Sequence, residues 1–174
     1  MNTESNAENS VTISDTLDGF VQKLGHVFMW SNGLLIFAII IQVVLRYGFG
    51  HGLVVLEELQ WHLYAVGIMF GASYAVTVDS HIRVDIIHAN LSEKWKKRWD
   101  LFGIFFLLLP FVLIIFHQSL DFVWEAWRVG ERSDAPSGLP FRWLIKGVIP
   151  ASFGLLALAV VSRAIRIISF FKRG

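Results

Sequence analysis

The chain contains no cysteine among its 174 residues, which excludes disulfide bonds and thiolate metal sites. Charged residues are scarce, at 17% of the sequence, against about 25% in a typical soluble domain. The formal net charge is only +1, and the basic residues flank apolar segments, which argues against a nucleic-acid-binding protein. Apolar side chains are plentiful instead, because 55% of the residues are hydrophobic. This composition predicts an integral membrane protein.

The first 22 residues are predicted to form a flexible cytoplasmic tail, and residues 23–174 a single transmembrane domain. The tail is polar and mildly acidic and lacks apolar periodicity. A secretory signal peptide would place positive charge ahead of an apolar stretch, whereas this segment carries acidic residues such as Asp15 and Asp18. We therefore expect the first apolar segment to stay in the mature protein.

Four apolar segments are long enough to cross a bilayer, for which a helix needs about 20 residues. They cover approximately residues 26–45, 59–78, 101–124 and 143–161. The connectors between them are short and rich in glycine, proline or charged residues, as turns and loops are. Pro110 lies near the middle of the third segment, where its missing amide hydrogen and its ring predict a kink. The sequence thus predicts an all-α membrane protein with four transmembrane helices.

The distribution of basic residues predicts that both termini are cytoplasmic, because lysine and arginine are retained on that side. With the N-terminus inside, ten basic residues lie on the cytoplasmic side: Lys23, Arg83, Lys94, Lys96, Lys97, Arg98, Arg163, Arg166, Lys172 and Arg173. Five lie on the other side: Arg46, Arg128, Arg132, Arg142 and Lys146.

The segment between the second and third spans, residues 79–100, mixes apolar and basic side chains. Trp95 and Trp99 are four residues apart, on one face of a helix, and Arg83 and Asp85 precede them. Such a segment is suited to the membrane interface, with tryptophans at headgroup depth and lysines toward water or anionic lipid. An ordinary cytoplasmic loop with anchoring residues is the alternative.

A pair of glycines in the second span, Gly67 and Gly71, has the four-residue spacing that lets membrane helices approach closely. Packing against another helix of the same chain explains this spacing. A docking face for another subunit explains it equally well, and spacing alone does not choose between the two.

A possible clasp joins the first two spans. Arg46 closes the first span and Glu57 and Glu58 open the second, on the same predicted side of the membrane. We expect an ion pair or hydrogen bond between Arg46 and one glutamate, the alternative being two solvated charges in a loop. No catalytic residues and no metal ligands are predicted, since the spans lack a nucleophile with an acid–base pair, a phosphate-binding loop or an HExxH motif.

Two histidines, His62 and His117, fall at comparable predicted depth, so a haem held between them is a conceivable alternative. His26 belongs to the opposite side and has no transmembrane histidine to pair with. A small multidrug exporter would need an acidic residue within the membrane. Asp121 and Glu125 instead lie near the end of the third span, which suits the interface better.

Four short motifs follow one another in the order typical of a known family. They are Val43–Tyr47 (VVLRY), Leu56–Leu59 (LEEL), Gly71–Ala75 (GASYA) and His81–Asp85 (HIRVD). With them, the chain resembles the DctQ-like family over about residues 25–168. This family comprises the small membrane subunits of the tripartite ATP-independent periplasmic (TRAP) transporters.

The resemblance implies a division of labour with two partners and with membrane lipid. A periplasmic solute-binding protein (DctP-like) captures an organic anion such as a carboxylate, and a large multi-span permease subunit (DctM-like) carries it across with sodium ions. The small subunit acts as a scaffold in the bacterial inner membrane, or in an archaeal plasma membrane, with no catalytic residue and no cofactor. The loop that would help to receive the binding protein carries the charged residues Arg128, Glu131, Arg132, Asp134 and Arg142.

Overall fold

The structure, a computed structural model, describes residues 2–78 and 91–173, and within them the side chains of residues 12–78 and 91–171. Every regular element in these residues is helical, which agrees with the predicted all-α class. The elements are α1 (Asn2–Gly48), α2 (Val54–Thr77), α3 (Glu93–Gly103), a π-helical segment (Ile104–Leu108), α4 (Leu109–Arg128) and α5 (Arg142–Arg173). Because α3, the π segment and α4 are continuous, the described residues form four helical bodies.

Helix α5 is the centre of the bundle, since it packs against α1, α2 and α4. Helices α1 and α2 also pack against each other, whereas α4 packs against α5. The α5 side of these contacts is built largely from small or β-branched side chains, including the fully buried Ala159 and Val160. Small residues let helix backbones approach closely in the absence of a strong hydrophobic force between helices.

Two buried serine hydroxyls fasten α5 to its neighbours. The Ser73 hydroxyl on α2 donates to the Ser152 carbonyl at 3.2 Å, and the Ser162 hydroxyl donates to the Ser14 carbonyl on α1 at 2.9 Å. Interhelical hydrogen bonds of this kind contribute about 0.6–2 kcal/mol each in membranes. They therefore fix the register of α1 and α2 along α5 as well as adding stability.

Among the described residues, three helices are long and apolar enough to cross a membrane: Thr12–Gly48, Glu93–Arg128 and Arg142–Phe171. They contain the first, third and fourth predicted spans. Helix α2 corresponds to the second, and its 24 residues would extend about 36 Å. The first turns of α2 carry polar side chains, including Glu57, Gln60 and His62, which shorten its apolar stretch. Membrane crossing by α2 therefore stays a prediction.

The N-terminal segment differs from the flexible tail that the sequence predicts, because α1 begins at Asn2. Ser14, Asp18 and Val21 are buried within this region. Their burial comes from contact with the end of α5, where Arg166 pairs with Asp15 at 3.2 Å and also with Asp18. A polar composition indicates a flexible tail only when no other part of the fold pairs with its charges. Here Arg166 of α5 pairs with Asp15 and Asp18.

Near Pro110, where the sequence predicts a kink, the structure has a π-helical segment just before the proline. Pro110 is the second residue of α4, and the Leu109 amide donates to the Ile104 carbonyl, five residues earlier. A proline lacks the amide hydrogen for an ordinary helical bond and its ring crowds the preceding turn. One wider turn relieves both problems without interrupting the helix.

Candidate functional site

The predicted clasp lies at the loop end of the bundle, where residues 49–53 join α1 to α2 and residues 129–141 join α4 to α5. The guanidinium of Arg46 lies 3.8 Å from the Glu57 carboxylate, which confirms the expected ion pair. The two side chains are 63% and 45% exposed, and exposed pairs contribute at most about 1 kcal/mol. The ion pair alone therefore holds α1 and α2 together weakly.

A residue that sequence reasoning missed, Gln42, contributes more to this clasp. Its buried side chain donates to the Glu57 carboxylate at 3.1 Å and accepts a hydrogen bond from the Leu53 amide at 3.2 Å. Gln42 thereby links α1 to both the connector and α2. A polar side chain within an apolar span, one turn before Arg46, was the signal that could have identified it.

The second glutamate, Glu58, binds the other loop. Its carboxylate accepts hydrogen bonds from the Ser133 hydroxyl and from the Leu139 amide, the latter at 2.6 Å. These two hydrogen bonds hold the pKa of Glu58 below its usual range, and the one from Ser133 has the larger effect. A side chain at Gly138 would place its Cβ 2.5 Å from the Ser133 Cβ. Glycine is therefore what lets the loop close over Glu58.

A further set of charges braces the α4–α5 loop. Glu131 pairs with Lys146, and its carboxylate lies 3.8 Å from the Arg142 guanidinium. The Arg142 amide also donates to the Glu131 carbonyl at 3.2 Å. The Lys146 ammonium lies 3.8 Å from the Phe122 ring centroid and its side chain is only 15% exposed. Lys146 thus ties α4, α5 and the loop together, although it was not among the predicted site residues.

The remaining loop candidates take different positions. Arg128 makes two hydrogen bonds to Glu125, at 2.9 and 2.7 Å, within α4. Arg132 and Asp134 are exposed at the tip. Phe141 has a φ of +62°, which is unusual for a bulky residue and costs of order 1–3 kcal/mol. The hydrogen bonds on both sides of Phe141 keep the loop in this conformation.

The two glycines of α2 prove to have different surroundings. At Gly67 a Cβ would lie 2.8 Å from the Asn32 side-chain oxygen of α1, so α1 and α2 pack closely at this glycine. At Gly71 a Cβ would meet nothing within 4 Å. The intramolecular explanation therefore holds for Gly67, while the Gly71 position is open.

The opposite end of the bundle, called the α3 end, carries α3 together with the beginning of α1 and the end of α5. Trp95 and Trp99 are exposed on α3, at 51% and 58%. Helix α3 runs directly into the third span, and its location in a membrane interface stays a prediction. Arg83 and Asp85 lie outside the described residues. Arg163 of α5 pairs with Asp100 of α3 at 3.3 Å.

The two histidines considered as haem ligands lie on helices that do not face each other. His62 is on α2, and His117 is on the exposed side of α4. Helices α2 and α4 each pack against α5. The structure therefore gives no support to a haem held between them. Within residues 2–78 and 91–173, no group of three or more histidine, aspartate or glutamate side chains is arranged to hold a metal ion.

Comparison with known proteins gives one informative result. No curated protein and no solved structure matches the chain. A family model described as the DctQ component of tripartite ATP-independent periplasmic transporters matches residues 35–170. The match covers the Gln42 clasp, the Glu58 contact with the loop and the Lys146 brace. The family is a transporter component rather than an enzyme family. This chain therefore belongs to the DctQ family and is the small membrane subunit of a TRAP transporter.

Proposed function

We propose that this chain is a scaffold for the large permease subunit of its transporter. The transporter would take up an organic anion, such as a carboxylate, together with sodium ions, after delivery by a periplasmic binding protein. The family membership supports a role in such a three-part system. The loop end would face the periplasm and the α3 end the cytoplasm of a bacterial inner membrane, as the distribution of lysine and arginine favours.

The observation that carries this proposal is a polar stripe on the outside of α4. His117, Gln118 and Asp121 are all exposed, and His117 and Asp121 are one helical turn apart on one face. They belong to the predicted third span, and His117 would lie about 10 Å inside its end at residue 124. Polar and ionisable side chains are costly against lipid.

The opposite face of α4 shows that this exposure is not a packing failure. Val112, Ser119 and Ala126 are buried against α5, so α4 already has an inner face. The outer stripe is therefore a second surface, and it has hydrogen-bonding groups to satisfy. A membrane-embedded protein partner with complementary polar groups would cover it, and the family assigns such a partner in the large subunit.

A double substitution, His117→Leu with Asp121→Leu, tests the proposal. It removes the polar groups but keeps a face compatible with lipid, so the chain should still insert. Hydrogen bonds to charged groups contribute about 1.5–3 kcal/mol each. We expect recovery of the large subunit with the tagged small subunit to fall at least about tenfold, a change that corresponds to 1.4 kcal/mol.

The matched control is Asp134→Leu, an equally exposed carboxylate at the loop tip. It should leave recovery of the large subunit unchanged. Thermal unfolding of the small subunit in detergent should be the same for the native chain, the double variant and the control, because the stripe is on the exposed side of α4. Undiminished recovery and undiminished anion uptake with the double substitution would disprove the α4 scaffold surface.

A further inference from the structure

A groove opens along the bundle at the α3 end, between α2, the α3–π segment and α5. Its volume is about 340 Å³, and its wall is mainly apolar, with Ala72, Gly103, Ile104, Leu108 and Leu156 among the lining residues. A Cβ at Gly103 would meet no atom within 4 Å, so the groove reaches the helix backbone there. A volume of this size is at the lower end of the range for small-molecule pockets.

One end of the groove is lined by charged side chains. A second, smaller cavity of about 70 Å³ shares Val76 and Arg163 with the groove and is also lined by Asp18, Lys97 and Arg166. This polar chamber, next to the apolar groove, thus holds three basic side chains and one carboxylate, and Asp100 lines the groove beside it. Trp99, 58% exposed, lies along the same groove, and tryptophan prefers the headgroup level of a membrane.

The basic side chains of this chamber differ in their partners. Arg163 pairs with Asp100, and Arg166 with Asp15 and Asp18. Lys97 has its ammonium 6.0 Å from the Phe170 ring centroid. Among the residues that the structure describes, none has a carboxylate within ion-pair distance of Lys97.

The three cations of the chamber are equalled in number by Asp15, Asp18 and Asp100, so the excess positive charge nearby comes from the rest of α3. Helix α3 carries four cations and two carboxylates. The guanidinium of Arg98 lies 5.3 Å from the Trp95 ring centroid, and Lys96 pairs with Glu93 at 3.4 Å. An anion at the chamber would therefore meet the Lys97 ammonium directly and a net positive field from the rest of α3.

We propose that an anionic phospholipid occupies this site, with one acyl chain in the groove and its phosphate at Lys97. The apolar wall and the Lys97 ammonium match the two parts of such a lipid, and basic pockets between membrane helices commonly bind anionic headgroups. A small anion would leave the apolar wall uncovered. A partner helix would cover the apolar wall without using the Lys97 ammonium at the polar end of the groove.

The first experiment measures lipid retention by the full chain, purified in nonionic detergent, with native mass spectrometry. Phosphatidylglycerol should be retained in preference to phosphatidylcholine. Each basic residue near a membrane surface favours an anionic lipid by roughly fivefold, so Lys97→Gln should lower phosphatidylglycerol retention by about that factor. Lys94→Gln is the matched control, because it removes an exposed charge from the same helix but does not line the chamber.

A second variant tests the acyl-chain groove independently of charge. Gly103→Leu would project a side chain into the open groove and should reduce retention of phosphatidylglycerol and phosphatidylcholine alike. Gly147→Leu is its control, since a Cβ there also meets no atom within 4 Å but lies on α5 outside the groove. Unchanged helical circular dichroism would show that both variants fold.

Three results would overturn the proposal. Equal losses for Lys94→Gln and Lys97→Gln would reduce the effect to general surface charge. Unchanged retention in both Lys97→Gln and Gly103→Leu would remove the site. Cross-linking of Gly103→Cys, the sole cysteine of that variant, to the large subunit in the assembled transporter would show that a protein fills the groove. None of these results bears on the α4 stripe, so the two proposals can fail separately.

Discussion

The two ends of the bundle use charge in different ways. At the loop end, Glu57, Glu58 and Glu131 each have partners within the chain, supplied by Gln42 and Arg46, by the α4–α5 loop and by Lys146. The contact of Glu58 with Leu139 joins residues 81 positions apart, whereas the Glu57 and Glu131 contacts each span a single connector. The charges at this end therefore serve mainly to hold the shape of the chain.

At the α3 end the balance is different. Two arginines of α5 pair with aspartates of α1 and α3, but no carboxylate among the described residues lies within ion-pair distance of Lys97, which lines a cavity. An apolar groove lies beside that cavity. Charges that pair inside the fold hold its shape, whereas Lys97, next to an apolar groove, belongs to the surface proposed for a lipid.

The largest effect is expected at the Lys146 brace. Lys146→Met should leave the Glu131 carboxylate without its main partner in a region where the two side chains are 15% and 28% exposed. Removing one member of a buried pair costs about 3–5 kcal/mol, and the partial exposure of Glu131 lowers the expected loss to about 2–3 kcal/mol. Denaturant unfolding of the purified chain in detergent would measure it.

Lys94→Met is the control for the brace, because Lys94 is an exposed cation at the other end. It should change the free energy of unfolding by less than about 0.5 kcal/mol. Equal stability of the Lys146→Met protein and the native chain would show that the loop end is not organised by this pair.

An intermediate effect is expected at the clasp, and it separates Gln42 from Arg46. Gln42→Ala removes the acceptor of the Leu53 amide and a donor to Glu57, so we expect a loss of about 1–2 kcal/mol. Arg46→Ala removes an exposed ion pair and should cost less than about 1 kcal/mol. The same unfolding measurement and the membrane abundance of each variant check this order, which a larger loss with Arg46→Ala would reverse.

The smallest effect concerns pH and Glu58, which lies just before the predicted second span. Its pKa is lowered in the folded chain from a usual value of 4.5, so the folded state favours the ionised form. This stabilisation is fully present above pH 4.5 and is lost as the pH falls through the lower, folded pKa. Glu58→Gln should therefore flatten the dependence of unfolding temperature on pH below 4.5, and an unchanged pH profile would count against the loop contact.

Much of the fold follows from the sequence, because long apolar segments and a mid-span proline act locally. The order of the helices and the irregularity at Pro110 needed no knowledge of distant contacts. The buried positions Ser14 and Asp18 were not predictable because they contact Ser162 and Arg166, about 150 positions later in the chain. The composition of a segment does not reveal which distant residues will pair with its charges in the folded chain.

The site shows the same limit. The Arg46 and Glu57 pair was predictable because both residues flank one short connector. The contact of Glu58 with the Leu139 amide was not, since 81 positions separate them and a backbone amide has no sequence signature. The groove beside Lys97 was also out of reach, because it arises from how α2, α3 and α5 are spaced. The sequence indicated only orientation for Arg163 and Arg166, and it placed Lys97 among the lysines of residues 79–100 that are directed toward water or anionic lipid.

The central position of α5 has a consequence for how the protein is made. The ribosome synthesises α1, α2 and α4 before the helix against which all three pack. Helices α1 and α2 can pair early, but α4 must wait in the membrane with both its inner face and its polar stripe uncovered. During that interval, α4 is the part of the nascent chain most exposed to wrong partners and to quality-control proteases.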